Sequence, residues 1–180
     1  MTHGQHNLLV VGVGNLLMMD DGIGCHLAAA LKRRVIPGAR VLDVGTSVIH
    51  VLADIEQAQA VLFLDAFQGG GAAGARYLLD ARETLSPRTT VSLHEVGIAA
   101  TLRELGPEHQ QKPLVLFGVE PAVIDFGMQL SPALAAVFSA LEQTALHLAR
   151  EMTWPGFSLA QAHRSIEIAD RNLIAVGNSP

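Results

Sequence analysis

Cysteine, aromatic residues and charge are all scarce in this chain. Cys25 is the single cysteine among 180 residues, which excludes an internal disulfide framework and any zinc or iron–sulfur site built from several cysteines. Aromatic residues make up 4% of the sequence and charged residues 16%, whereas hydrophobic residues reach 49%. A chain of this length and composition is expected to bury one ordinary hydrophobic core.

Long apolar runs and basic clusters are missing as well. The richest apolar runs, at 8–13 and 61–64, stop far short of the roughly 20 residues of a transmembrane helix, so no membrane association is expected. The net charge is −5 and Lys32-Arg33-Arg34 is the main basic cluster, so nucleic acid is not an expected partner. The first residues do not resemble a secretory signal, and we expect a cytoplasmic protein.

Apolar runs of strand length alternate along the chain with segments of helical period. This alternation predicts an α/β fold, a three-layer α/β/α domain with a twisted, mostly parallel sheet of about five strands. The predicted strands are 8–13, 41–44, 60–65, 76–79 at a sheet edge, and 114–119, and the predicted helices are 21–34, 47–57, 93–105 and 132–150. Residues 1–150 are expected to form a single domain, and residues 151–180, where the period is lost, a C-terminal appendage that is partly ordered or flexible.

Three residues with metal-binding side chains are expected near the carboxyl ends of the strands in this predicted sheet. Asp21 follows the first strand and Asp65 ends the third. In a sheet whose order begins 2-1-3, these strands are neighbours, and ligands bind in the crevice between their carboxyl ends. His94 lies in the first turn of a helix with a capping box at Ser92 and Glu95, where the helix terminus favours the neutral imidazole that binds metal. Two carboxylates and one histidine predict an open metal site.

Other interpretations of these segments stay open at this stage. Asp20 and Asp21 could instead cap the following helix and interact with its dipole. Gly12 and Gly14 weakly resemble a dinucleotide-binding fingerprint, although Leu17 stands where a third glycine is needed.

Cysteine chemistry is a further alternative. Cys25, assisted by His94 or His26, would be the nucleophile of a cysteine peptidase. We expect Cys25 to lie on the exposed or half-buried side of the first helix, without such a role.

Five segments together resemble a known family. They are GVGNLLMMDDGIG at 12–24, DVGT at 43–46, DA at 65–66 followed by Gly74, SLHEVG at 92–97, and GVEP at 118–121 followed by Asp125, Gly127 and LSP at 130–132. In this order they are similar to the motifs of the hydrogenase maturation endopeptidases, which trim the C terminus of nickel–iron hydrogenase large subunits. The resemblance spans about residues 8–150, and five ordered motifs make a chance match improbable.

The resemblance implies a role for the three residues that the topology brings together. It implies that Asp21, Asp65 and His94 bind metal and carry catalysis. The metal is nickel carried by the substrate, with other divalent metals as alternative occupants in the isolated protein. The implied partner is a nickel–iron hydrogenase large-subunit precursor, cut once after nickel insertion. Val44 and Ala73 depart from the family, which has glycine and proline there.

Two functions from other classes are weighed against this one. The same three residues would serve a noncatalytic nickel-binding maturation chaperone, and the glycine motif would serve a small nucleotide-binding module. Cleavage of a precursor, stable binding without cleavage, and nucleotide binding distinguish the three.

Overall fold

The computed structural model describes residues 7–85, 93–109, 111–169 and 173–175. Their strands are β1 (Leu8–Val13), β2 (Ala39–Gly45), β3 (Ala60–Ala66), β4 (Arg76–Asp80), β5 (Leu114–Val119) and β6 (Leu173–Ala175). Their α-helices are α1 (Ile23–Leu31), α2 (Leu52–Gln57), α3 (Leu93–Arg103), α4 (Pro132–Met152) and α5 (Leu159–Ala169). Short 3₁₀ turns lie at Met19–Gly22, Val48–Val51, Ala81–Leu85 and Pro107–His109.

The strands form one sheet in the order β2-β1-β3-β5-β4-β6. Strands β2, β1, β3 and β5 are parallel, while β4 runs antiparallel to β5 and parallel to β6. The predicted three-layer fold is confirmed, and the sheet order begins 2-1-3, as the placement of Asp21 and Asp65 assumed. The predicted edge position of the fourth strand is wrong, because the short strand β6 lies outside it.

Helices cover both faces of the sheet. One core cluster joins Val10 and Leu62 to α1, α4 and α5, and the other joins Val11 and Phe63 to α2 and α3. Every residue of β1, β3 and β5 is buried. This double burial explains why these strands read as continuous apolar runs rather than alternating ones.

The C-terminal segment contributes to the same core. Helix α4 begins after Ser131, whose hydroxyl accepts a hydrogen bond from the Leu134 amide at 3.3 Å, which confirms the predicted start. Helix α5 packs against α4 and β4, and its Ala162 and Ile166 are 1% exposed. The sequence prediction missed α5, although Leu159, Ala162 and Ile166 are spaced so that they fall on one face of a helix. In the parts of the chain described, no helix is both long and apolar enough to cross a membrane.

Candidate active site

Two of the three predicted site residues lie at, or a few residues beyond, the carboxyl ends of neighbouring strands. Strand β1 pairs with β2 on one side and with β3 on the other, so the sheet order reverses beside it. Asp21 lies in the 3₁₀ turn Met19–Gly22, which packs against β3, and Asp65 lies at the end of β3. The two acids are 8% and 0% exposed. This is the switch point at which open α/β sheets bind ligands.

The glycines of the first motif allow α1 to approach the strand ends very closely. A Cβ added to Gly24 would lie 2.0 Å from the Leu64 carbonyl oxygen and 2.3 Å from that of Val13. A Cβ on Gly12 would lie 2.4 Å from the Ala28 Cβ. A Cβ on Gly14 would lie 2.2 Å from the Asp21 carbonyl oxygen. Close packing thus explains both Gly12 and Gly14 without a bound nucleotide.

Asp20 does not cap α1. Its carboxylate instead accepts hydrogen bonds from the amides of Ala122 and Val123, both at 2.9 Å, and from the Ser131 amide and hydroxyl, both at 2.7 Å. Burial raises the pKa of Asp20, but the four hydrogen bonds together outweigh it and hold this pKa below its ordinary value. The capping interpretation is wrong, since Gly22 is the N-cap residue and no side chain bonds there. Asp20 joins the first motif to the loop after β5.

Cys25 is buried close to the carboxylates of Asp43 and Asp65. It is 1% exposed, not on the exposed or half-buried side that the sequence suggested, and its thiol donates to the Gly14 carbonyl at 3.4 Å. Burial, a hydrogen bond with Asp43 and the charges of Asp43 and Asp65 raise the pKa of this thiol far above its ordinary value. Because nucleophilic attack requires the thiolate, these surroundings argue against a cysteine peptidase.

Asp43 and His26 are two further titratable residues close to Cys25. The Asp43 carboxylate accepts a hydrogen bond from the Gly45 amide at 3.1 Å. Burial lowers the pKa of His26, while the charge of Asp43 opposes that effect. Asp43 stands near the end of β2, opposite Gly12 of β1. Its position at the end of an apolar run was the sequence signal that could have placed it beside Asp21 and Asp65.

Val44 fits the strand despite its departure from the family pattern. The pairing of β1 with β2 shifts by one residue at this point, so that Gly12 faces Asp43 and Val13 faces Gly45. Val44 is therefore the extra residue of a β-bulge. The left-handed conformation falls on Gly45, with φ of 55°, so valine is tolerated beside it.

Glu120 holds the loop that follows Asp65, a role that the sequence did not reveal. Its carboxylate accepts hydrogen bonds from the amides of Gly69 and Gly71, at 2.9 and 3.1 Å, and from the Tyr77 hydroxyl. Burial and the hydrogen bond to Glu120 raise the pKa of Tyr77 to about 12. The GVEP segment is thus a support for the loop beside the site.

The backbone of His94 lies at the beginning of α3, while its side chain is outside the described part of the structure, as is the Ser92 cap. Helix α3 packs against the turn Val48–Val51, and a Cβ on Gly97 would lie 3.8 Å from the Thr46 carbonyl oxygen. The beginning of α3 is thereby close to the segment after β2. Among the side chains that are described, no three His, Cys, Asp or Glu residues form a metal-binding group. The metal site of Asp21, Asp65 and His94 stays a prediction.

Comparison with known proteins decides the family. A family model described as "Hydrogenase maturation protease" matches residues 25–148. The chain belongs to the hydrogenase maturation protease family. Hydrogenase expression/formation protein HupM of Azotobacter chroococcum mcd 1 is 34% identical to this protease over 159 residues, 79% of this chain and 75% of the relative. Hydrogenase 2 maturation protease of Escherichia coli (strain K12) is 32% identical over 142 residues, 76% of this chain and 87% of the relative.

Solved structures agree with this membership. The hydrogenase maturating endopeptidase HybD from E. coli superposes on this protease with a TM-score of 0.70 at 28% identity, covering 81% of this chain and 93% of HybD. A hydrogenase maturation protease HycI from Thermococcus kodakarensis KOD1, at 22% identity and a TM-score of 0.66, shares the fold over 82% of this chain and 95% of its own. The protein is therefore a peptidase, and its fold is that of its family.

Proposed function

We propose that this protease removes the C-terminal extension from the large-subunit precursor of a nickel–iron hydrogenase, and that it acts after nickel insertion by recognising the nickel in the precursor. One observation carries the proposal. In a chain of this family, the buried acids Asp21 and Asp65 come from adjoining segments at the switch point of the sheet. A carboxylate pair in that crevice can meet a cation that arrives with a substrate.

The chemistry of the three side chains supports recognition of substrate-bound nickel rather than permanent storage of it. Carboxylates and imidazole bind nickel, but they lack the soft thiolates that would hold it tightly. The side chains of Asp21, Asp65 and His94 would serve as additional ligands of a nickel that the precursor already holds. The isolated protease is therefore expected to bind nickel only weakly.

Hydrolysis then adds one water across a single peptide bond of the precursor. A carboxylate of the site accepts the proton of the attacking water, and the amine of the released extension takes up a proton as the C–N bond breaks. Cys25 takes no part, because its buried thiol stays protonated.

The test is cleavage of purified precursor, with and without nickel, followed by intact-mass spectrometry. Nickel-loaded precursor should lose one C-terminal fragment and nickel-free precursor should not. Asp21→Asn, Asp65→Asn and His94→Gln should each slow cleavage by at least about 100-fold. Asp54→Asn and His147→Gln are the matched controls, since the Asp54 side chain contacts Arg40 and the His147 side chain contacts Glu151, both away from the site.

Other outcomes separate the alternatives. Equal cleavage of nickel-free precursor would overturn nickel recognition and leave the peptidase. A stable complex with nickel-loaded precursor that is never cut would point to the nickel-binding chaperone instead.

A further inference from the structure

Exposed hydrophobic side chains are concentrated beside the candidate site. Of the nine large hydrophobic residues that are exposed in the described part of the chain, six lie on two loops, one after β1 and one after β5. We call them the apolar patch: Leu16, Leu17, Val123, Ile124, Phe126 and Met128. Phe126 is 86% exposed and Met128 69%, so the patch projects into solvent. Exposed apolar clusters of this kind commonly mark interaction surfaces.

The two loops form one connected unit. The Met19 amide donates to the Gly127 carbonyl at 2.8 Å, and the Gly127 amide donates to the Leu17 carbonyl at 3.0 Å. The buried carboxylate of Asp20 accepts hydrogen bonds from the Ala122 and Val123 amides of the second loop. The structure therefore holds the apolar side chains in place, and they are not the ends of independent loops.

Backbone strain marks the same unit. Met19 has φ of 50°, the one positive φ of a non-glycine residue within the described chain. Such a conformation costs about 1 kcal/mol or more and persists where the surrounding contacts enforce it, which is common at binding sites.

The patch is continuous with the site through consecutive residues. Met19 pairs with the second loop, Asp20 anchors that loop, and Asp21 is the candidate site residue that follows. We therefore expect a protein substrate that reaches Asp21 to lie against these loops. Asp125 is the single charged residue between 121 and 130, so the surface fits an apolar area of that substrate.

We propose that the apolar patch is the docking surface for the body of the hydrogenase large-subunit precursor, outside the segment that is cut. This inference rests on the proposed function. Docking that is equal in the ground state and the transition state contributes to substrate binding and not to the chemical step. Loss of the patch should therefore raise KM and leave kcat unchanged.

The experiment compares wild-type protease with Phe126→Ser, Met128→Ser and the double variant, using nickel-loaded precursor. The double variant should raise KM by about tenfold or more, with kcat within about twofold of wild type. Phe126→Leu should preserve most of the affinity, because it keeps an apolar side chain there. Trp154→Ser is the matched control. Trp154 is 74% exposed but lies near Asn7 and Pro113, which precede β1 and β5, at the amino ends of the strands and away from the site.

Calorimetric titration of the precursor into each variant makes the test independent of cleavage. Wild-type protease should bind the precursor about tenfold more tightly than the double variant does. If this difference is found but no precursor is cut, the docking surface is supported and only the proposed function fails. Unchanged KM and affinity in the double variant would overturn the docking surface while leaving the peptidase intact. Sedimentation velocity supplies the remaining outcome: a wild-type dimer that the double variant dissociates would assign the patch to self-association instead.

Discussion

At the residue scale, two consecutive acids have different tasks. Asp20 is completely buried and accepts four hydrogen bonds from the loop after β5. Asp21 is 8% exposed and lies in the turn that follows β1 and packs against β3. Sequence spacing could not separate them, because neighbouring residues of a turn point in different directions.

Asp20→Asn should destabilise the protein, whereas Asp21→Asn should not. The amide of asparagine cannot accept all four hydrogen bonds, and buried donors then lose their partners, so we expect a loss of about 2–4 kcal/mol in the free energy of unfolding. Urea denaturation at neutral pH measures both variants. Equal stability of Asp20→Asn and wild type would show that the network does not support the fold.

The same variant has a defined pH dependence. Because the pKa of Asp20 is lower in the folded than in the unfolded protein, its stabilisation is fully present above the ordinary carboxyl pKa of 3.8 and is lost as the pH falls through the folded value. The stability difference between wild type and Asp20→Asn should therefore be constant from pH 7 to about pH 5 and shrink below about pH 4. Urea denaturation across this range checks the sign, and a difference that grows with acid would contradict it.

Cys25→Ser should process precursor at close to the wild-type rate. The serine hydroxyl can donate to the Gly14 carbonyl as the thiol does, and no step uses a thiolate. Iodoacetamide should modify Cys25 only after denaturation, as seen by intact-mass spectrometry. Rapid alkylation of the folded protein, or an inactive folded serine variant, would restore the cysteine-peptidase alternative.

At the element scale, the position of α1 controls the shape of the site. Glycine at 12 and 24 allows the helix to lie directly against β1 and β3, and the turn with Asp20 and Asp21 precedes it. The strand and helix bounds follow from apolar patterns and are largely recovered from the sequence. The close approach is a contact between distant segments, which no local pattern describes.

Gly24→Ala should disrupt this contact. The new Cβ would meet two backbone carbonyl oxygens at 2.0 and 2.3 Å, so the helix must shift, and we expect a loss of at least about 3 kcal/mol. Gly97→Ala is the matched helical control, because its Cβ would meet only an ordinary contact at 3.8 Å, and alanine should stabilise α3 by about 0.5–1 kcal/mol. Thermal and urea denaturation compare the two, and similar stabilities would contradict the proposed close packing.

At the scale of the whole molecule, the segment after Arg150 completes one face of the core. Met152, Ala162 and Ile166 are nearly inaccessible, and β6 pairs with β4. The sequence marks this helix with a short apolar stripe at Leu159, Ala162 and Ile166, but only the packing of α5 on α4 and β4 shows that the stripe joins the main core.

Removal of residues 151–180 should lower the free energy of unfolding by at least about 4 kcal/mol, because it uncovers apolar surface on α4 and β4. Ile166→Ala, with an expected loss of about 2–4 kcal/mol, localises the effect to α5. Gln161→Ala on the exposed side of the same helix should change stability by less than about 0.5 kcal/mol. A truncated protein as stable as the full chain would show that the core closes without this segment.

The sequence by itself determined the α/β layers, the start of α4 at Ser131 and the family, because these depend on periodicity, capping and ordered motifs. It also singled out Asp21, Asp65 and His94 as a hypothesis. Only the tertiary structure decided that Asp20 is a buried hydrogen-bond acceptor, that Cys25 is enclosed and that Glu120 supports a distant loop. The physical reason is that burial and hydrogen-bond partners arise when segments far apart in the chain pack together, as residue 20 does with residue 131.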